Sequence, residues 1–182
     1  MDRNTQNGFT LIELLITVVV LSVLLALASP SFFEVLERRK VKGAAEKLQV
    51  DLMFVKTEAI KRNTPVRIQF SFDGVDPSLW CYGMKVDAAC DCFETDPSQA
   101  DFCEIDGVKR VVDRADFGDN VLITGNSVGF AGNIVSFSPL RGNTINGNAK
   151  FSLTGGPEIQ VSTNIRGRVT ICSNNGFGLE DC

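Results

Sequence analysis

The chain of 182 residues contains no histidine. The commonest general base and metal ligand near neutral pH is therefore missing, which excludes Ser-His-Asp triads, HExxH zinc sites and facial triads. Reactive chemistry would have to come from thiols and carboxylates. The thiols are Cys81, Cys90, Cys92, Cys103, Cys172 and Cys182, an even count at short spacings that reads as disulfides in an exported domain. Cys172 with Cys182 is the most local choice for the tail, and closing that loop stabilises by about 2.5–3 kcal/mol in the chain-entropy description. Cys90 and Cys92 are too close in sequence to pair with each other, so one is expected on Cys103 and the other on Cys81. Zinc on those four cysteines is the rival, but C-x-C is not the usual ligand spacing and reduced thiolates do not suit an oxidising compartment. The carboxylates crowd between Asp73 and Asp106, nine of them with Lys85 as the single base. No EF-hand pattern runs through them, so they read as a solvated acidic loop rather than a calcium site, and a glycosidase-like carboxylate pair there would be coincidence. No metal, no cofactor and no enzymatic activity are expected.

One carboxylate stands apart. Phe9 to Ala28 is a run of twenty residues whose one ionisable side chain is Glu13. As a helix it would span about 30 Å, the thickness of a bilayer's hydrocarbon. Burial in a soluble core fits poorly, because the run has no polar face and the rest of the chain is too small to surround it. A cleaved secretory signal fits poorly too: Asp2 offsets Arg3, and the apolar stretch is long and interrupted near its start. An acid at such depth costs on the order of 3 kcal/mol and calls for a partner. Cleavage between Gly8 and Phe9 would supply one, since the new α-amino group is a cation one helical turn from Glu13.

The elements that must carry these groups follow from periodicity. Length allows one domain plus an appendage, and 44% hydrophobic with 22% charged residues is a composition that folds. Residues 1–62 hold nine basic against seven acidic side chains, +2, while residues 63–182 hold nine against fifteen, −6. The sequence thus joins a mildly basic stick to an acidic head. Pro30 either kinks the first helix or begins a new one with Ser29 as its cap. Beyond it Val41, Ala45, Leu48, Leu52, Val55 and Ala59 recur at alternating spacings of four and three, one apolar stripe for packing on a sheet. Asn63-Thr64-Pro65 ends the helix. The period then changes to two: Val66, Ile68, Phe70 and Phe72 alternate with polar residues. Further short strands are expected at 79–86, 108–112, 121–124, 134–137, 149–153, 158–163 and 168–172. The fold class is α+β, a long helix packed on an antiparallel sheet, shaped like a lollipop. Its parts are a leader 1–8, a transmembrane helix 9–29, an amphipathic stalk 30–63 and a β-rich head 64–182.

Gly8-Phe9-Thr10-Leu11-Ile12-Glu13-Leu14, after a short polar leader and before an apolar helix, resembles the processing signal of type IV prepilins and type II secretion pseudopilins. The stretch Ile134–Gly142, the strands near 151–153 and 159–163, and Gly167-Arg168-Val169 are similar to the head shared by pseudopilin H and the FimT/FimU minor pilins. This resemblance implies a pilin-like fold, cleavage after Gly8 by a prepilin peptidase, N-methylation of Phe9, and packing into a filament through the helix, with Glu13 neutralising a neighbour's N-terminal amine. It implies an inner-membrane protein with a periplasmic head, whose partners are other minor and major pilins or pseudopilins. Paired cysteines and the acidic insert favour a minor pilin that helps initiate a type IV pilus near its tip; pseudopilin H of a secretion system is the alternative. Some FimT-like pilins bind DNA through a GRxR stretch. Here Arg166-Gly167-Arg168-Val169-Thr170 keeps Arg168, adds Arg166, and has Thr170 where the pattern has its second arginine, so DNA binding is a lesser expectation. An adhesive role for the insert at 74–119 is a further reading.

Overall fold

The computed structural model describes residues 9–182 except 77, 124–126, 154 and 175–176, with the side chains of 27–31 also left aside. The leader, Gly8 included, lies outside the described residues. The chain divides into two compact units, Met1–Leu36 and Glu37–Cys182.

Helix α1 runs Leu11–Arg62. It stays helical through Ser29 and Pro30, so no second helix starts there. In the first unit its side chains are uncovered: from Leu11 to Leu25 every large apolar residue is more than half exposed. In the second unit the expected stripe is the core. Val41, Ala45, Leu48, Leu52, Val55 and Ala59 are all fully buried, with Ala44 filling a small gap beside them. The helix ends as its sequence dictates. Asn63 takes a left-handed φ of 51°, the Thr64 N–H reaches back to Ala59 O at 3.2 Å, and Pro65 cannot continue the turn.

Among the described residues nine strands follow, paired antiparallel. β1 (Val66–Phe72), β2 (Trp80–Val86), β5 (Val111–Asp113) and β6 (Ile134–Phe137) form one sheet in the order β5-β2-β1-β6. β3 (Glu104–Ile105) and β4 (Val108–Lys109) form a small hairpin, and β7 (Gly147–Ser152), β8 (Glu158–Thr163) and β9 (Val169–Ser173) form a third sheet in chain order. Alternation in β1 sends Val66, Ile68 and Phe70 inward, where they meet the α1 stripe, Tyr82, Phe137 and, from the third sheet, Phe151, Ile159 and Val161. Each such side chain contributes about 1.5–3 kcal/mol by leaving water. The complete hydrophobic core and all three disulfides fall within Glu37–Cys182, so this unit holds what it needs to fold alone.

Two expected strands are corrected. The run 108–112 is not one strand, because Arg110 changes partner: its N–H bonds Cys103 O while its carbonyl accepts from Met84 N, both at 2.9 Å. The chain leaves β3 and joins β2 at that residue. The run 121–124 forms no strand over its described residues. The Trp80 indole takes the Val121 carbonyl at 2.8 Å, and only Leu122 makes a bridge, to Ser152. Val121 and Ile123 are nonetheless fully buried, which is the burial the sequence pattern had registered.

The helix end is tied to the β3–β4 turn by charge. Arg62 bonds Glu58 at 2.7 Å and Asp106 at 2.5 and 2.9 Å. The guanidinium lowers the pKa of both carboxyls, chiefly by hydrogen bonding. A carboxyl held below its unfolded value stabilises the fold at pH above that value, near 4, and loses the contribution as pH falls through the folded pKa. Arg62→Gln should therefore destabilise the head at neutral pH and flatten its loss of stability below about pH 4. Thermal melts of both proteins across that window check it; parallel pH profiles would refute it.

Candidate functional site

The N-terminus of α1 carries Phe9, Thr10 and Glu13. Phe9 is non-helical and exposed, and the helix opens at Leu11. Thr10 caps it: its Oγ1 accepts the Glu13 N–H at 3.3 Å, and its carbonyl accepts from Leu14 N at 3.2 Å. Glu13 therefore stands in the first turn, at the positive end of the helix dipole, where a carboxylate is favoured. Thr10-x-x-Glu13 is a capping-box spacing, a signal present in the sequence that pattern reading for apolar residues passed over. Phe9 and Glu13 are thus brought to one helix end. Gly8 lies outside the described residues. No helix is long and apolar enough among the described residues to cross a membrane; the run Phe9–Ala28 continues past Ala26, the last described side chain within it.

The cysteines form Cys81–Cys92, Cys90–Cys103 and Cys172–Cys182. Cys81, Cys90, Cys92 and Cys103 make their own buried cluster, with no free thiol. Among the described residues no three acids or thiols gather as a metal site. Lys85 fastens the insert by donating to the carbonyls of Ala100 and Phe102 at 2.6 and 2.8 Å. Cys172–Cys182 folds the tail back, and Ser173 N bonds Glu180 O at 2.9 Å.

A groove of about 490 Å³ between α1 and β5 includes Lys47, Asp51, Phe54, Arg110 and Phe117. Its buried acid is already committed. Asp51, 5% exposed, accepts from Lys47 at 2.5 and 2.6 Å and from the Tyr82 hydroxyl at 2.8 Å. Burial and then the Asp51 charge raise the Tyr82 pKa far above the usual tyrosine range. These groups hold the core together and have no geometry for proton transfer to a ligand.

Arg166 and Arg168 sit on the exposed β8–β9 turn. Asn164 organises it, its Oδ1 accepting the N–H of both arginines at 3.0 Å. Gly167, between them, has φ of 68° and lies against Gly142; a Cβ there would be 1.9 Å from Gly142 O. Lys56 reaches across from α1 and donates to Gly167 O at 2.8 Å. This convergence of two loops on a helix lysine was invisible in the sequence.

A helix carrying an N-terminal Phe-Thr-x-x-Glu segment, whose C-terminal half packs on antiparallel sheets in a disulfide-bonded head, defines a pilin-like protein. Residues 44–177 match the family Type II transport protein GspH, and residues 3–29 match the Prokaryotic N-terminal methylation motif. The chain belongs to the GspH family. No curated protein matches it in sequence. Two crystal forms of the Pseudomonas aeruginosa type IV minor pilin FimU are similar in structure, at TM-scores of 0.48 and 0.49. They share 14% and 16% identity, cover 75% and 78% of this chain, and are themselves covered to 98% and 97%.

Proposed function

We propose that the chain is a minor pilin: a prepilin cut between Gly8 and Phe9, methylated on Phe9, held in the inner membrane by the helix 9–29 with its head in the periplasm, and then drawn into a type IV pilus near the tip. The observation that carries this is the uncovered helix. An all-round apolar surface, with every large side chain from Leu11 to Leu25 more than half exposed, must be covered by lipid or by other helices. Both are offered in turn by a membrane and a filament. Glu13 and the amine freed at Phe9 provide the polar contact that specifies register, since opposite charges in low dielectric attract strongly and an unmatched charge is costly. The role needs prepilin peptidase and other pilins as partners and no active site. Incorporation into a secretion pseudopilus is the same chemistry in another machine; the elaborate disulfide-stapled insert, a surface suited to display, favours the pilus.

Mass spectrometry of the protein from host membranes tests this reading. The expected mature chain begins at Phe9 and carries one added methyl group. A chain still beginning at Met1 would overturn it.

A further inference from the structure

The two loops that meet at Gly142 and Gly167 gather positive charge on one face of the head. Arg141 flanks Gly142, Arg166 and Arg168 flank Gly167, and Lys56 lies beneath both. No ion pair or hydrogen bond engages the guanidinium groups of the three arginines among the described residues. From Asn120 to Leu179 the sequence holds one acid, Glu158. It pairs with Lys150 at the opposite end of β8, six residues and so roughly 17–20 Å from the turn. Interleaved with the cations are large apolar side chains left in water: Leu140 is 84% exposed and Ile165 is 62% exposed. Beside them runs a groove of about 390 Å³ walled in part by Pro139 and Ile145.

The same chain carries the complement elsewhere. Residues 87–106 hold seven acids and no base, stapled by two disulfides, so the loop is pre-organised. Near its centre Phe93, 44% exposed, is flanked by Asp91, Glu94 and Asp96. Among the described residues no hydrogen bond or ion pair joins this loop to the basic face within one molecule.

We propose that the basic face takes the acidic Cys90–Cys103 loop of a second copy of this chain, with Phe93 against the Leu140–Ile165 apolar surface. Charge complementarity selects the occupant, and the rigid loop limits the entropy lost on docking. Because the two patches differ, the contact is head-to-tail rather than a two-fold dimer. Single-stranded nucleic acid suits the face less well, since it calls for aromatic stacking platforms beside the cations, and this face alternates cations with aliphatic side chains. The inference deepens the filament reading by assigning a head–head surface, and it stands or falls on different residues from the N-terminal segment.

The test uses the oxidised unit 37–182, which carries the whole core. Sedimentation at sub-millimolar protein should show self-association in low salt, weakened about tenfold or more at half-molar salt as screening shortens to a few ångströms. Arg166→Glu with Arg168→Glu should abolish it, and Phe93→Ser should weaken it similarly. Mixing the arginine variant with Glu94→Lys/Asp96→Lys should restore association, since each then meets an opposite charge; this also shows that both variants are folded. A monomeric wild-type head in low salt overturns the proposal, as does association that persists in either the arginine or the Phe93 variant. A wild-type head that binds duplex DNA through these arginines without self-associating also overturns it, in favour of nucleic acid. N-terminal processing is measured separately, so its failure is distinguishable from failure here.

Discussion

Replacing Gly83 with alanine is expected to destabilise the head by about 2–5 kcal/mol, the range for loss of a native disulfide or forced overpacking. Gly83 lies in the middle of β2, where glycine is ordinarily a poor choice. Its Cα faces the sulfur cluster. A Cβ would stand 2.1 Å from Cys103 Sγ, 2.8 Å from Cys103 Cβ and 3.0 Å from Cys90 Sγ. Those atoms belong to a bridged pair and cannot swing aside like a free side chain. Either the strand shifts, which breaks its register with β1 and β5, or Cys90–Cys103 does not close. Gly74 makes a suitable control, because a Cβ there meets nothing within 4 Å. Melting temperatures and free-thiol counts check the expectation. It fails if Gly83→Ala is fully oxidised and melts with the Gly74→Ala control.

Glu13→Ala is expected to leave cleavage after Gly8 intact while lowering incorporation into filaments tenfold or more. Peptidase recognition reads the junction, which the substitution does not touch. Assembly differs: the buried amine at Phe9 would have no counter-charge, and an uncompensated charge in apolar surroundings costs several kcal/mol, well above the 1.4 that makes a factor of ten. Thr10 keeps capping the helix in the variant, since its contact is with a backbone N–H, so the helix itself is preserved. Immunoblots for processed protein in membranes and in sheared filaments separate the two steps. Normal amounts of the variant in filaments would exclude a role for Glu13 in register.

The sequence was most legible where a single period ran unbroken. The 4-3-4 stripe of α1 named six buried residues directly, and the alternation from Val66 fixed the centre of the sheet. Legibility failed where the chain changes partner within a residue or two. No periodicity marks Arg110 as the point of transfer between β3 and β2. The hairpin β3–β4 is two residues a side, too short for a pattern, though Asp106-Gly107, both at positive φ, is a turn dipeptide that could have revealed it. The cysteine spacings left Cys81 and Cys103 to be shared between Cys90 and Cys92. Tertiary placement decides, because Cys81 lies in β2 while Cys103 comes from the loop just before β3. The basic face was likewise hidden, since its charges come from a helix and two loops that are 111 residues apart at the Lys56–Gly167 contact.

The two bridges of the insert overlap in sequence, 81 to 92 and 90 to 103. A head entering an oxidising compartment in chain order presents Cys90 to Cys81 just ahead of the correct mate Cys92, and the mate of Cys90, Cys103, arrives later still. A Cys81–Cys90 crosslink thus competes with the native bridges, and release from it needs thiolate attack by a later cysteine or an added thiol. Maturation of this head should depend on a disulfide-shuffling activity in its host, whereas the tail bridge, with no competitor inside its span, should close unaided.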